Sequence, residues 1–287
     1  MSLLSPNLLA FISVVRQGTV HGASRELHLT QTGVTQRIRS LEKEWGVALF
    51  IRSRKGMRLT QEGEALLRYC KGAEDLEGEV RSQILGGGQD RPVEVTLAGP
   101  TSIMTVRVVA QCMPLYAQWP NLYLRLMICD APDRLNLVRS GQTSLAIVSP
   151  NQVPNEMDSK KLKPDRYILV ASTKWSHRSL DDLLEKERVI DFDEKDTTTL
   201  QYLQKFDLLA KMKKPRLYIN NNEAIIKFFC HGVGFGTLTQ EVAQPYLDRG
   251  DLQALHKEGV LEDPLALVWY PRPEMPPYFR AIVAAIR

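Results

Sequence analysis

One segment near the amino terminus, residues 30–45, has two chemically different faces. An apolar stripe recurs along it at helical spacing: Val34, Ile38, Leu41 and Trp45. A second face carries polar, mostly uncharged side chains at the same spacing: Thr32, Thr35, Gln36 and Arg39. Such a helix can pack one side on a core and offer the other to base edges in a DNA major groove. A polar face that merely meets water is the alternative, and the flanking sequence favours the first interpretation.

Two shorter helical patterns precede this segment. The first begins at Ser5-Pro6, a cap followed by proline at the first helical position, and has its own apolar stripe. The second follows Thr19, a predicted N-cap, and Thr30 is the predicted cap of the third helix. Only residues 28 and 29 separate the second and third patterns, which suits a tight turn. Three short amphipathic helices on one core predict a helix-turn-helix domain.

Residues 47–60 form two short alternating segments around Lys55-Gly56, which predicts a hairpin. Basic residues crowd this stretch, and no acidic residue accompanies them. An ordinary charged loop is the alternative, but a basic wing beside a recognition helix is the simpler account, because its cations can face phosphates. The predicted DNA contacts are Gln31, Thr32, Thr35, Gln36, Arg39, Arg52, Arg54, Lys55 and Arg58.

The charge distribution separates this amino-terminal head, residues 1–60, from the rest of the chain. The head holds nine basic and three acidic residues, a net charge of +6. The whole chain of 287 residues carries only +4, so the remainder stands at −2. Positive charge concentrated at one end fits a DNA-binding head on a near-neutral body.

Other classes of protein find little support in the composition. No apolar run approaches the roughly 20 residues that a membrane span needs, and the first residues lack the basic region of a signal peptide. The cysteines are scattered and are interpreted as buried small hydrophobes in a reduced, cytoplasmic protein: Cys70, Cys112, Cys129 and Cys230. The histidines have no metal-like spacing. Nucleophile-elbow, zinc-protease and P-loop motifs are absent from the sequence, which disfavours an enzyme.

The amino-terminal residues resemble a known family. A dense, ordered series matches the signature of LysR-type transcriptional regulators: Phe11, Val14-Val15, Gly18-Thr19, Ala23, Leu27, Leu29-Thr30-Gln31, Val34, Thr35, Ile38, Leu41-Glu42, Gly46, Leu49-Phe50, Arg52, Leu59-Thr60 and Gly63. The resemblance implies a winged helix-turn-helix domain over residues 1–60. Thr19 and Thr35 stand where the family often has serine, which keeps the hydroxyl, and Gly22 stands where alanine is common.

Residues 61–88 predict a linker helix followed by a hinge at Gly86-Gly87-Gly88. Five residues at alternating steps of three and four follow a coiled-coil seam: Leu66, Tyr69, Ala73, Leu76 and Val80. Pairing of two chains through this seam would place two heads on two DNA half-sites. Packing of the helix on its own domain is the alternative.

From residue 89 to residue 287, strand and helix patterns alternate, which predicts an α/β architecture. The pattern resembles the two-lobed periplasmic-binding-protein fold of LysR-type effector domains, with lobe I at about 91–163 and 264–287 and lobe II at about 164–263. In such folds, ligands bind beyond the carboxyl ends of the strands. The effector candidates there are Thr101, Ser102, Asp130, Ser149, Thr197, Thr198, Asn221 and Thr237. Each could instead serve as a helix cap or a turn residue.

Four motifs of this body resemble regulators that respond to lysine and arginine: Asp191-Phe192-Asp193, Phe206-Asp207-Leu208, Asn221-Asn222-Glu223-Ala224 and Gly250-Asp251-Leu252. In that branch Asp130 could hold an ammonium or guanidinium group. Ser144, in contrast, stands where many members of the family have aspartate.

Together these features predict a ligand-responsive DNA-binding transcriptional regulator with three parts: an amino-terminal winged helix-turn-helix, a long linker helix and a two-lobed α/β effector domain. The expected partners are operator DNA, further copies of the chain in a dimer or tetramer, and a small-molecule effector such as an amino acid. RNA polymerase is a further candidate partner, while no cofactor, metal or membrane is expected. The alternatives are a solute-binding protein, an architectural DNA binder without effector control and, least favoured, an enzyme.

Overall fold

The computed structural model describes residues 4–53, 56–84, 93–130, 134–256, 258–272 and 274–287. Its amino-terminal part holds three helices, a two-stranded antiparallel hairpin and one long helix: α1 (Pro6–Gln17), α2 (Val20–Glu26), α3 (Gln31–Trp45), β1 (Phe50–Ser53), β2 (Gly56–Leu59) and α4 (Gln61–Ile84). The hairpin follows the three helices as a wing. The head is therefore the winged helix-turn-helix that its sequence patterns predict.

Side-chain caps define where the three head helices begin. The Ser5 hydroxyl accepts from the backbone of Leu8, and the Thr19 and Thr30 hydroxyls accept from the N–H groups three residues on. Each cap satisfies one of the backbone donors that a helix leaves free at its start. Three predicted helix starts are therefore confirmed.

One apolar core joins all parts of the head. Phe11 is fully buried and its ring lies 5.3 Å from that of Phe50, which brings the wing onto α1. From α3 the core takes Val34, Ile38 and Leu41. Trp45, the fourth member of the predicted stripe, is 63% exposed. Its inclusion in the core was wrong, because the helix ends there and its last turn projects beyond the head.

Helix α4 begins as part of the head and then leaves it. Leu66, Leu67 and Cys70 are buried in the head core, and Ala73 packs partly against it. Leu66 therefore faces its own domain, and its assignment to a seam with a second chain is corrected. Tyr69 and Leu76 are 61% and 51% exposed. The side chain of Val80 and the predicted hinge at residues 86–88 lie outside what is described.

Lobe I is a five-stranded mixed sheet with helices on both faces. The strand order is β4 (Leu122–Ile128), β3 (Val93–Gly99), β5 (Leu145–Val148), β13 (Ala266–Trp269) and β6 (Asp158–Lys161). Strands β3, β4 and β5 run parallel, so their carboxyl ends lie at one edge, and β13 runs antiparallel to its neighbours. The helices are α5 (Thr101–Ile103), a π-helical turn (Met104–Val108), α6 (Val109–Gln118), α7 (Arg134–Arg139) and α12 (Pro277–Ala285).

Lobe II is built around one central strand rather than a parallel sheet. Strand β7 (Asp165–Ser172) pairs antiparallel with three others: β10 (Gly236–Thr239), β11 (Leu252–Ala254) and β12 (Leu261–Asp263). The short strands β8 (Ile190–Asp191) and β9 (Leu217–Tyr218) pair in parallel, and an isolated parallel bridge joins Val189 to Phe235. The flanking helices are α8 (Leu180–Lys186), α9 (Thr198–Lys205), α10 (Asn222–His231) and α11 (Gln240–Asp248). Alternating strand and helix patterns thus predicted the layers but not the strand direction.

The two lobes are joined by two short crossings. Residues 162–164 lead from β6 into β7, and residues 264–265 lead from β12 back into β13. Both crossings leave the sheets beside the carboxyl ends of β3, β4 and β5. Helices that are long and apolar enough for a membrane span are absent from the described ranges.

Candidate DNA-binding surface and interlobe cleft

Helix α3 presents its polar face to solvent. Gln31, Thr32, Gln36 and Arg39 are exposed and Thr35 is half-buried. The opposite face is held in the head core, so the helix cannot rotate its polar face away. The structure therefore brings the predicted base-reading residues together on one outward surface.

A hydrogen bond orients the start of this surface. The Gln31 side-chain nitrogen lies 3.0 Å from Nδ1 of His21, which stands on α2. The contact joins the two helices of the helix-turn-helix at their solvent side. His21 is thus a surface residue that sequence reasoning missed, because residues ten apart show no shared periodicity.

The wing is docked on the rest of the head through backbone contacts. The N–H of Met57 donates to the carbonyl of Gly18 at 3.0 Å. Gly56 has φ +113°, and a Cβ there would lie 2.7 Å from the same carbonyl, so only glycine fits. Of the predicted phosphate contacts, Arg58 is exposed. The Arg52 side chain and the residues Arg54 and Lys55 lie outside what is described.

Two of the three acidic residues of the head are already engaged. Glu26 forms an ion pair with Arg16 at 2.9 Å and accepts from the Ser13 hydroxyl at 2.7 Å. Glu42 accepts from the backbone N–H of Leu49 at 3.0 Å. Glu26 thus joins α2 to α1, and Glu42 joins α3 to the residue before the wing, so neither charge lies free on the recognition face.

In the body, the carboxyl ends of β3 and β4 bring two effector candidates into contact. Asp130 accepts from the Thr101 backbone N–H at 2.8 Å and from the Thr101 hydroxyl at 2.6 Å. The carboxylate thus caps the helix that starts at Thr101, which matches the capping alternative of the sequence analysis. Asp130 nevertheless remains exposed to solvent.

An ion pair crosses from lobe I to lobe II at the hinge. The Arg107 guanidinium, from the π-helical turn, contacts the Asp165 carboxylate at the start of β7 and donates to the carbonyl of Lys163 at 2.9 Å. Glu241 of α11 lies 3.8 Å from the Arg107 Nε, and the Ser102 hydroxyl donates to Asp165 at 3.3 Å. Sequence reasoning missed Arg107 and Asp165, since 58 residues separate them.

Burial shifts the pKa values of several ionisable side chains in this region. It raises the pKa of Asp165 to about 6, although the adjacent Arg107 acts in the opposite direction. Burial likewise raises the pKa of Asp263 and lowers that of Arg134. The pKa of Tyr167 is also raised, first by burial and then by the nearby carboxylates. These groups lie where low dielectric strengthens interactions between charges.

Arg134 lies at this edge of lobe I and bonds to backbone carbonyls of two strand ends. Its Nε donates to the carbonyl of Ile147 at 2.8 Å and its Nη1 to that of Cys129 at 3.2 Å. The guanidinium thereby spans the ends of β4 and β5 and lies near the carboxylates of Asp130 and Asp263. Among the described residues, five carboxylates lie within electrostatic reach of Arg107, Arg134 or Tyr167 near the hinge and are called here the cleft acids: Asp130, Asp165, Asp196, Glu241 and Asp263.

The other effector candidates are more dispersed. Thr237 lies on β10, where its hydroxyl is 2.9 Å from that of Thr199, a buried residue that sequence reasoning missed. Thr197 is exposed and accepts from Gln201 at 2.8 Å. The Thr198 backbone N–H donates to Asp196 at 3.0 Å.

Two candidates lie in other surroundings. The Asn221 side-chain oxygen accepts from the Ala224 N–H at 2.8 Å and so caps α10. Ser149 lines an open cavity of about 440 Å³ beside the hinge, together with Lys161 and Pro264. Thr101, Ser102 and Asp130 thus form one group, and the remaining candidates approach from separate elements.

Comparisons with known proteins cover almost the whole chain. Residues 6–64 match the model of bacterial regulatory helix-turn-helix proteins of the lysR family, and residues 89–287 match the LysR substrate binding domain. The regulator ArgP of Aeromonas salmonicida is 26% identical over 263 residues, which cover 90% of this chain and 87% of that protein. The regulator LysG of Mycobacterium bovis is 30% identical over 178 residues, covering 62% of this chain and 57% of that protein.

Solved structures of full-length regulators share the fold. ArgP from Mycobacterium tuberculosis superposes with a TM-score of 0.82 at 23% identity, covering 99% of this chain and 96% of that one. LysG from Corynebacterium glutamicum, described with bound effector Arg, gives 0.75 at 21% identity with the same coverage of 99% and 96%. At these identities the superpositions establish the common fold.

Proposed function

Because this chain belongs to the LysR family, whose members are ligand-responsive DNA-binding transcriptional regulators, we propose that it reads operator DNA with α3 and its wing and is controlled by a basic amino acid bound between its two lobes. It is not an enzyme; its relatives are transcriptional regulators. The proposal concerns the effector and the residues that hold it.

The excess of carboxylates in the cleft carries this proposal. The five cleft acids outnumber the two guanidinium groups described beside them, and Arg107 and Arg134 already have carboxylate or carbonyl partners. A cleft of this charge favours an ammonium or guanidinium ligand over an acidic one. The names of the relatives point the same way, since one LysG structure is described with bound arginine.

A binding mode follows from the placement of the charges. The cationic side chain of the effector would lie against Asp130 and Asp263. Lobe II would close over it with Thr198 and Thr237, so that occupancy changes the closure of the lobes.

A thermal-shift panel tests the effector class. L-Lysine and L-arginine should raise the unfolding temperature, while L-glutamate and L-glutamine at the same concentration should not, because ligand binding to the folded state stabilises it by mass action. Asp130→Asn and Asp263→Asn should each weaken the shift. Arg166→Gln, at an exposed pair with Glu262, is the matched control. A shift with L-glutamate alone would refute the proposal.

Members of this family form oligomers, and we further propose a homodimer that places two heads on two half-sites, with pairs of dimers as an extension. The exposed residues Tyr69 and Leu76 of α4 are the proposed contact between copies. Sedimentation velocity with and without operator DNA measures the assembly.

Transcription takes place where bacterial DNA lies, so we propose a cytoplasmic location and RNA polymerase as a further partner.

A further inference from the structure

Helix α4 touches lobe I at two places, although its first half belongs to the head. The Arg68 guanidinium lies 4.5 Å from the ring centroid of Tyr270 and donates to the carbonyl of Arg139 at 3.5 Å. Three residues on, the Lys71 side chain passes over Gly141, where a Cβ would lie 3.0 Å from the Lys71 Cδ. Two cations of one helix face thus meet the carbonyl end of α7 and one aromatic ring.

Two electrostatic interactions stabilise this contact. Arg139 is the last residue of α7, and a helix carries partial negative charge at its carbonyl end, where cations are stabilising. A guanidinium over a tyrosine ring adds a cation–π interaction. The Arg139 side chain itself turns away to Glu156, 3.4 Å distant, which leaves the carbonyl to Arg68.

Both elements that Arg68 touches begin at the interlobe cleft. Helix α7 starts with Arg134, whose guanidinium spans the ends of β4 and β5 near the cleft acids. Its six residues cover only about 9 Å. Tyr270 directly follows β13, which is entered from the hinge crossing at residues 264–265, next to Asp263. A shift of Arg134 or of the hinge would therefore displace the two partners of Arg68.

The same turn of α4 that carries Arg68 is fixed to the DNA-reading head. Leu67 lies next to Arg68 in sequence and is 3% exposed within the head core, and Cys70 is fully buried there. Packed interiors transmit displacement rather than absorb it. A movement imposed on Arg68 must therefore move the head with it or break the contact.

We propose that the Arg68–Tyr270–Arg139 contact is the coupling element through which occupancy of the cleft alters the placement of the head. The inference rests on the proposed function, because it names the route by which an effector in that cleft controls DNA binding. Coupling of this kind is reciprocal, so DNA on the head must also change the state of α7. That reciprocity allows a test that needs no effector.

The first test measures hydrogen exchange of the full-length protein with and without DNA from the region upstream of its own gene. In the wild type, DNA should change deuterium uptake in a peptide that covers residues 134–141. Arg68→Gln and Tyr270→Leu should abolish the change. Tyr270→Phe, which keeps the ring, and Arg125→Gln, at an exposed pair with Glu94, should retain it. Unaltered uptake in the wild type, or a change that survives in both variants, would overturn the proposal.

The second test adds L-arginine and L-lysine as probes. The factor by which a saturating probe changes the DNA dissociation constant should move toward one by about fivefold in Arg68→Gln and in Tyr270→Leu. The double variant should match Arg68→Gln, because replacing Arg68 already removes both its contact with the Tyr270 ring and its hydrogen bond to the Arg139 carbonyl. An additive double variant would contradict the proposal. If neither probe binds, the proposed effector class fails, and the exchange experiment still decides the coupling on its own.

Discussion

Single glycines and hydroxyls determine how the head is assembled. Gly63, in the first turn of α4, lies under the wing, and a Cβ there would come 2.2 Å from the carbonyl oxygen of Leu49. Gly72, on the same helix, has open space around it. Two glycines nine residues apart thus have different reasons to be present, and the helical pattern alone does not distinguish them.

This contrast predicts opposite effects of one substitution. Gly63→Ala should destabilise the protein by about 1–3 kcal/mol, because backbone must shift to admit the methyl group. Gly72→Ala should stabilise it by up to about 1 kcal/mol, since alanine is the better helix former at an exposed position. Denaturant unfolding of the two variants measures both changes. Equal effects of the two substitutions would show that α4 does not pack on the wing as described.

At the recognition surface, the Gln36→Ala, Arg39→Ala double variant should weaken operator binding by about tenfold to a hundredfold, because a good base contact contributes about 1–3 kcal/mol. Both side chains are exposed, so the unfolding temperature should not change. Gel shifts at fixed salt against operator and random DNA measure the loss. Equal binding by the variant and the wild type would remove α3 from the DNA interface. Arg166→Ala, on lobe II, serves as the control.

At the scale of elements, α4 has two roles along its length. Its first turns complete the head core, and its later turns expose Tyr69 and Leu76. The heptad pattern predicted one seam for both parts, and it failed at Leu66 because the head offers a closer apolar surface than a second chain. Amphipathic spacing shows that a helix has an apolar face, while the nearest packing partner decides what covers it.

The exposed part of α4 should govern self-association. Leu76→Glu should shift the protein toward monomer, because a charge would be buried in an apolar contact between copies. Ala65→Glu adds the same charge to the same helix at an exposed position off the seam and should leave assembly unchanged. Sedimentation velocity at several concentrations measures both. Assembly that withstands Leu76→Glu would place the contact between copies elsewhere.

At the scale of the whole molecule, the hinge holds a buried charge that links the lobes. The carboxylate of Asp165 is 3% exposed and faces Arg107, Glu241, Ser102, Tyr167 and Asp263. Since its pKa is raised from 3.8 to about 6, the folded state holds this proton more tightly than the unfolded chain. The carboxylate therefore lowers stability progressively as pH rises from about 4 to about 6, and the full effect persists above that range.

Asp165→Asn should remove this dependence. The difference in unfolding free energy between variant and wild type should grow in favour of the variant as pH rises from about 4 to about 6. Because the substitution also leaves Arg107 without its charged partner, the slope with pH and not the absolute stability is the quantity to compare. Unfolding curves at a series of pH values measure it, and parallel curves for the two proteins would contradict the raised pKa.

The local sequence was sufficient for the head and for the order of layers in the body. The caps at Ser5, Thr19 and Thr30 and the two faces of α3 all depend on residues within one or two turns of each other. The family motifs added the two-lobed body. Periodicity could not provide the antiparallel pairing around β7, the exposure of Trp45 or the position of Leu66, because each depends on what packs against the element.

The chemistry of the cleft arises only in three dimensions. Arg107 and Asp165 stand 58 residues apart, and Arg68 and Arg139 stand 71 apart. Hydrophobic spacing along a chain records which side of an element is buried, and it is read within a few residues. A charge–charge contact records which elements meet, and that is decided by the packing of both lobes and the head, where burial alters the protonation of each group.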